Sequence, residues 1–400
     1  MNAPVDKYDR IQAKMQELEF DALFCRLSEH VLYFTGYWPR GHVCAAVVPA
    51  SGDPILLIGE LEAKLELDAH PPFAGVKVVT FPFESHEVIR GPNDGFALVL
   101  PEVFRQLGLS EKRIGIEQNV EGCNIGMFQG EVKYPAEPTW AMLRKLFPKA
   151  QFKDAAGLIF DLRSIKSEPE IQAIRLAVEI AGFGYEAARR ELQAGMTEVE
   201  LAAVVESAIH TRGTGYKGVT QARGYACVYT GARSAIQWSH YAYSQNYVIQ
   251  PNDVVIIELG AFADGFWADL TRNFYAGELD NRAREIFKIA RGAQQAAFQK
   301  AMPDTPASSL EKAAREYMDK FGYADQWPHG LGHGVGFAYH EGPLLHAANH
   351  NPIKAGMVLT LEPGIYIQNY AGFRPEDMVV IRSEGPEMIS AAIPHVFLES

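Results

Sequence analysis

The sequence predicts an α+β chain of two domains. A smaller α/β domain spans residues 1–155. A pseudo-symmetric domain spans residues 156–400, with helices on one face of a mainly antiparallel sheet. Three observations predict this. At 400 residues the chain is too long for one ordinary core. Its first part alternates short apolar runs with helical stripes, as a helix-flanked sheet requires. Its second part repeats one order, helix, helix, then strands.

Composition narrows the class. At 48% hydrophobic and 22% charged residues, the chain reads as an ordinary globular protein. No apolar run approaches membrane-span length, so no membrane partner is expected. The start, MNAPVDKYDR, is polar and acidic, unlike a secretory signal. Cys25, Cys44, Cys123 and Cys227 are scattered with no CxxC, which fits reduced thiols and a cytoplasmic location. A net charge of −12 argues against nucleic acid as the main partner.

In the first domain, Tyr8, Ile11, Met15 and Leu18 form a helical stripe. Strands are expected at 22–25, 43–48, 55–58, 76–80 and 114–116, and helices near 97–107 and 139–146. No phosphate loop or dinucleotide fingerprint occurs. Residues 29–42, EHVLYFTGYWPRGH, are expected to form a strand and corner of this domain's core; alternatively they present Trp38 and Arg40 to a site.

In the second domain, Ser167 and Glu170 form a capping box before Ile171, Ile174, Val178, Ala181 and Tyr185. Thr197 and Glu200 cap the next helix. The order then recurs with a long helix from Ala283 to Ala301, stopped by Pro303, and another boxed by Ser308 and Glu311.

Residues 254–274, VVIIELGAFADGFWADLTRNF, predict a β-hairpin. Asp264-Gly265 supplies the two positive-φ turn positions. That turn pairs Ala263 with Phe266, Gly260 with Asp269 and Glu258 with Thr271. Glu258, Gly260, Asp269 and Thr271 then share one face, with Glu258 and Asp269 as diagonal neighbours roughly 7–8 Å apart. Two carboxylates there either face water or hold a cation between them.

Other candidate ligands follow. HGLGHGVGFAYHEGP contains His329, His333 and His340, with Gly332 and Gly334 leaving the His333 backbone bare. Glu362 ends an apolar strand before Pro363-Gly364. Glu376 opens another, two residues after Arg374. Glu258, Asp269, His333, Glu362 and Glu376 together make four carboxylates and one imidazole. Such a set suits Mn²⁺, Fe²⁺, Co²⁺ or Zn²⁺ and could bridge two ions.

These five residues fall at spacings of 11, 64, 29 and 14. They resemble the pita-bread family of creatinase, methionine aminopeptidase, aminopeptidase P and prolidase, and their order and spacing resemble prolidase closely. The resemblance covers residues 161–400, where DLRSIKSEPEIQAIR resembles the family's opening helix. The first domain resembles, more weakly, the N-terminal domain of the creatinase–prolidase branch.

The resemblance implies a hydrolase that uses two divalent ions and a bridging hydroxide to cleave an Xaa-Pro bond. Asp269 and Glu376 would bridge the ions, Glu258 would be a terminal ligand on one, and His333 and Glu362 would serve the other. Glu362 would also be the general base. His340 would stabilise the tetrahedral intermediate. His240 would stand on the substrate side, and Arg374 would orient Glu376 or bind a substrate carboxylate. A homodimer is implied too, in which Trp38 or Arg40 could reach the partner's cleft.

Two positions depart from the peptidase pattern. Glu258 stands where the peptidases carry Asp, and Pro375 stands where a plain apolar residue is usual. The alternative is therefore a C–N hydrolase or lyase of a small molecule on the same fold, creatinase- or ectoine-hydrolase-like, with altered or no metal. A third possibility, a binding module, fits poorly with a full ligand set.

Overall fold

The structure is a computed structural model that describes residues 5–41, 43–82, 91–119, 137–239 and 243–396. His42, Cys123 and His240 lie outside the described residues. The described residues divide into two compact units, up to Arg163 and from Ser164.

The first unit is a six-stranded mixed sheet. Its chain order is α1 (Val5–Glu17), β1 (Ala22–Cys25), α2 (Ser28–Thr35), β2 (Ala45–Pro49), β3 (Ile55–Gly59), α3 (Glu60–Glu66), β4 (Lys77–Phe81), α4 (Pro92–Gln106), β5 (Arg113–Ile116), α5 (Glu137–Leu146), β6 (Gln151–Asp154) and α6 (Ala156–Ser164). The strands lie in the order β4-β3-β2-β1-β5-β6. Phe24, Val47, Leu57 and Ile114 pack with Phe96, Phe104 and Leu143 of α4 and α5 into one core.

One expectation here is corrected. Residues 28–35 form a helix, not a strand and corner. Six of its eight residues are buried, so no polar face breaks the apolar run and periodicity gives no signal. Gly36 ends the helix at φ 74°. The following loop is tied down by Glu62, which accepts from Tyr37 Oη at 2.9 Å and Arg40 N at 2.7 Å.

The second unit runs α7 (Glu168–Glu191), α8 (Glu198–Gly213), β7 (Ala222–Thr230), β8 (Val254–Ala263), β9 (Phe266–Tyr275), α9 (Asn281–Lys300), α10 (Ala307–Asp319), β10 (Gly332–Gly334), β11 (Glu341–Leu345), β12 (Val358–Leu361), β13 (Ile365–Ile367), β14 (Ala371–Phe373), β15 (Asp377–Arg382) and β16 (Gly385–Met388). Its sheets are β7-β8-β9, β11-β10-β12-β15-β16 and β13-β14, and every strand pair is antiparallel. Helices α7 and α8 pack on the first sheet through Ile174, Val178, Val205 and Ile257. Helices α9 and α10 pack on the second through Phe287, Leu310, Leu359 and Val379. The helix-pair-over-sheet plan thus occurs twice. Thr271 of the β7-β8-β9 sheet bridges to Glu376, the residue before β15 of the five-stranded sheet.

The capping boxes at Ser167 and Thr197 form as expected. The one at Ser308 does not. Helix α10 starts two residues earlier, behind Pro306, and buried Glu311 pairs with Arg315 at 2.6 Å.

Candidate metal centre

The hairpin supplies the first wall. Ala263 pairs with Phe266, Gly260 with Asp269 and Glu258 with Thr271, the register the Asp-Gly turn dictates. Asp264 takes φ 44° and Gly265 φ 94°. The Asp264 carboxylate also accepts from Thr220 N at 2.9 Å and Gln221 N at 3.0 Å, locking the start of β7 to the turn. Glu258 and Asp269 are both buried on one face of this sheet.

The second half-domain supplies the opposite wall. His333 sits in β10, where Thr360 Oγ1 accepts from its backbone N at 3.0 Å. Its Nδ1 faces Gly334 O at 2.9 Å. That leaves Nε2 facing Asp269 Oδ2 at 3.3 Å and Glu362 Oε1 at 3.4 Å. This close approach needs bare backbone. A Cβ on Gly332 would meet Thr360 O at 2.3 Å, and one on Gly334 would meet Gly342 O at 2.1 Å. Glu362 directly follows β12. Glu376 directly precedes β15, and Thr271 Oγ1 donates to its Oε2 at 2.6 Å. Behind it, Arg272 Nη1 donates to Glu376 O at 2.5 Å while Nη2 bonds Asp377 Oδ1 at 2.9 Å. The Glu376 backbone is therefore pinned from below.

Arg374 stands among the acids. Its guanidinium lies 2.9 Å from Glu258 Oε2, 3.6 Å from Glu362 Oε2 and 3.7 Å from Glu376 Oε2. Its Nη2 donates to Thr271 Oγ1 at 2.7 Å. Glu258 also accepts from Tyr339 Oη at 3.0 Å and from the Gln237 side-chain amide. The main partner of Arg374 is thus Glu258, with Glu376 further away.

His340 Nε2 is 3.6 Å from Asp269 Oδ2, and its ring lies 4.0 Å from that of His333. His329 turns elsewhere, with Nε2 3.0 Å from Tyr366 Oη. The structure therefore brings together Glu258, Asp269, His333, His340, Glu362, Arg374 and Glu376. Sequence reasoning missed Gln237 and Tyr339. Tyr339 adjoins His340 in the chain, but only the folded loop turns its hydroxyl to Glu258. Nothing in the sequence marks Gln237.

Burial and mutual charge reset these groups. Burial alone would raise the Asp269 carboxyl, but hydrogen bonds from His333 and His340 hold it well below the usual range. Burial would lower His333, yet its hydrogen bond to Asp269 and the Glu362 charge raise it to about 9. Burial, opposed by Arg374, pushes Glu362 up to about 7. Burial and the Asp269 charge drive Glu376 well above a normal carboxyl. Burial and the His333 charge lower His340. Glu362 and Glu376 are thus pushed toward their neutral forms by burial and by neighbouring acids, a penalty that a bound cation would relieve by favouring the carboxylates.

The residues fit a divalent ion. Asp269 Oδ1 and Glu376 Oε1 are buried without a hydrogen-bond partner among the described residues. An unpaired buried carboxylate oxygen is costly, and a cation satisfies it. Ligand atoms of His333, Glu362 and Glu376 lie within 4.8 Å of one another, as do those of Asp269, His333 and His340. Neither group includes Glu258. Carboxylates with imidazole suit Mn²⁺, Fe²⁺, Co²⁺ or Zn²⁺.

Residues 172–383 match metallopeptidase family M24, and residues 7–165 match the creatinase/prolidase N-terminal domain. The chain belongs to metallopeptidase family M24. It is 36% identical over 385 residues to an Xaa-Pro dipeptidase of Pyrococcus furiosus, covering 96% of this chain and 97% of that one. Among solved M24-like structures, a prolidase of Pyrococcus horikoshii superposes with a TM-score of 0.74 at 27% identity, covering 96% of this chain and 98% of that one. An X-Pro aminopeptidase of Thermotoga maritima gives 0.77 at 25% identity, with the same coverage. The tandem helix-pair-over-sheet unit is thus the pita-bread fold of the M24 peptidases, preceded by the creatinase-type domain.

Proposed function

We propose that this chain is a metal-dependent hydrolase of the Xaa-Pro peptidase type, acting on small peptides with proline after the scissile bond. One observation carries the proposal. Asp269, His333, Glu362 and Glu376 converge in one buried cluster, in a chain 36% identical to an Xaa-Pro dipeptidase over nearly its full length.

Asp269, His333, Glu362 and Glu376 would hold one divalent ion. Glu258 would join Asp269 and Glu376 around a second by exchanging Arg374 for it. Bound Mn²⁺, Co²⁺, Fe²⁺ or Zn²⁺ supplies an acidified water and polarises the scissile carbonyl. Glu362 takes and relays a proton. His340 donates to the oxygen that gains charge. Arg374 keeps the excess acids compensated and reaches toward a substrate carboxylate. His240, outside the described residues, stays assigned to the substrate side.

The same proposal takes the active form as a cytoplasmic homodimer, supported by family resemblance, by the scattered thiols, and by the 37–41 loop that Glu62 holds in place. Among the described residues no helix is long and apolar enough to cross a membrane.

Glu258 favours a second reading. Its carboxylate is already compensated by Arg374, Tyr339 and Gln237. A carboxylate so held could serve as nucleophile or base toward a small cyclic or guanidino compound, with no second ion. Assaying the full chain on Xaa-Pro dipeptides and small osmolytes, alongside metal analysis, separates the two. Metal-dependent Xaa-Pro cleavage supports the first; osmolyte turnover in metal-free protein supports the second.

A further inference from the structure

The roles above leave one buried ion pair beside the site unused. Lys166 Nζ lies 2.5 Å from Glu341 Oε1, with the two side chains 0% and 3% exposed. Glu341 directly follows His340 and pairs with Gly334 where β11 meets β10. Lys166 comes from far away in the chain, in the short link before α7, whose helix packs on the β7-β8-β9 sheet. That link is fixed in its own right. Lys166 N donates to Gly356 O at 2.8 Å, Ile165 bridges to Met357, and Lys166 Nζ also donates to Ser164 O at 3.2 Å.

The loop that ends at Glu341 is shaped to admit the lysine. Gly336 takes φ 148°, and a Cβ there would meet Ile174 Cδ1 at 2.8 Å and Lys166 Cε at 3.0 Å. Its carbonyl accepts from Trp267 N at 2.8 Å, and Val335 N donates to Val358 O at 3.1 Å, so the start of the loop is held as well. At its far end His340 Nε2 stands 3.6 Å from Asp269 Oδ2. Fixing Glu341 therefore fixes the backbone from which His340 projects.

A buried ion pair is weak evidence for stability, because desolvation offsets the attraction. Its other use is to define one geometry. We propose that Lys166 and Glu341 are positioning residues that set His340 for its part in the reaction. The fixed link holds the ammonium group, the ammonium group holds the Glu341 carboxylate, and the carboxylate holds the loop end that carries the imidazole. The expected rate effect rests on the Xaa-Pro reading; the hold on the loop does not.

The kinetic test uses Ala-Pro and the full chain supplied with Mn²⁺. It compares the wild type with Lys166→Met/Glu341→Leu, each with and without His340→Ala. Replacing both charges by apolar side chains avoids leaving one buried charge alone. The paired replacement should lower kcat by about tenfold or more, with KM within about twofold and metal content unchanged. In the His340→Ala background it should cause no further loss. Unchanged kcat, or a loss that multiplies with that of His340→Ala, overturns the proposal. Hydrogen exchange read by mass spectrometry judges the hold on the loop without turnover. Residues 334–342 should exchange about threefold faster or more in the paired replacement, with α9 unchanged. Glu341→Gln, the same shape without the charge, is a milder variant in which the same segment should quicken. Wild-type exchange there, or equal quickening in α9, overturns the proposal. Absence of all Xaa-Pro cleavage by the wild type sinks the peptidase reading instead, and the exchange result then decides on the loop.

Discussion

Arg374 and Glu258 form a buried ion pair at 2.9 Å inside the acid cluster. Three carboxylates thereby share one fixed guanidinium, and the position where the peptidase pattern carries Asp is occupied by a longer acid that already has a cation. The two readings of this site differ on what Glu258 does with that cation.

Glu258→Gln and Glu258→Asp separate them. If Glu258 binds a second ion, Glu258→Gln should lower metal stoichiometry by one per chain, and Glu258→Asp should keep it. Measuring metal content and turnover on the same samples checks this. Lost turnover at unchanged stoichiometry in Glu258→Gln would make it a nucleophile or base.

His340 touches Asp269 only at 3.6 Å and stands at the exposed side of the cluster. His340→Ala should lower kcat by roughly 10²–10³ and leave metal content unchanged, since it removes a donor to the developing charge. Loss of metal in this variant would show that His340 is a ligand.

Gly334→Ala would place a methyl group 2.1 Å from Gly342 O. The β10–β11 contact has to spread, at a cost of about 1–3 kcal/mol, and His333 moves with it. Chemical denaturation and metal analysis should both register the change. Unaltered stability and metal content would mean the loop yields freely.

Asp377 gathers Arg272, Arg291, Ser390 and His395, the last with Nε2 at 2.9 Å. The geometry resembles an ion pair, but burial, then the Arg272 charge, lower His395 to about 4. At neutral pH it is therefore a neutral donor. The unfolded imidazole titrates near about 6.5. Between these values the unfolded chain binds the extra proton, so stability falls as pH drops from about 6.5 to 4, by up to about 3 kcal/mol. His395→Gln should flatten that slope in denaturant titrations at pH 7 and pH 5. An identical slope in the variant would remove His395 from the account.

Much of this was legible in the chain because local rules and the fold agree there. Asp264-Gly265 determines the hairpin register, and the register puts Glu258 and Asp269 on one face. Glycines at 332 and 334 announce the close approach around His333. Two kinds of feature escaped. Helix α2 is buried nearly all round and shows no period. The partners of Glu258 come from positions 237, 339 and 374, so only the packed half-domains bring them together. Ion pairs between distant segments leave no local pattern to read.

The most direct test of the central claim is Xaa-Pro dipeptide turnover by the full chain after exhaustive chelation and stepwise return of Mn²⁺. We predict that turnover falls to background, then recovers in proportion to added metal and saturates at one or two ions per chain. Full turnover in demonstrably metal-free protein would contradict the account.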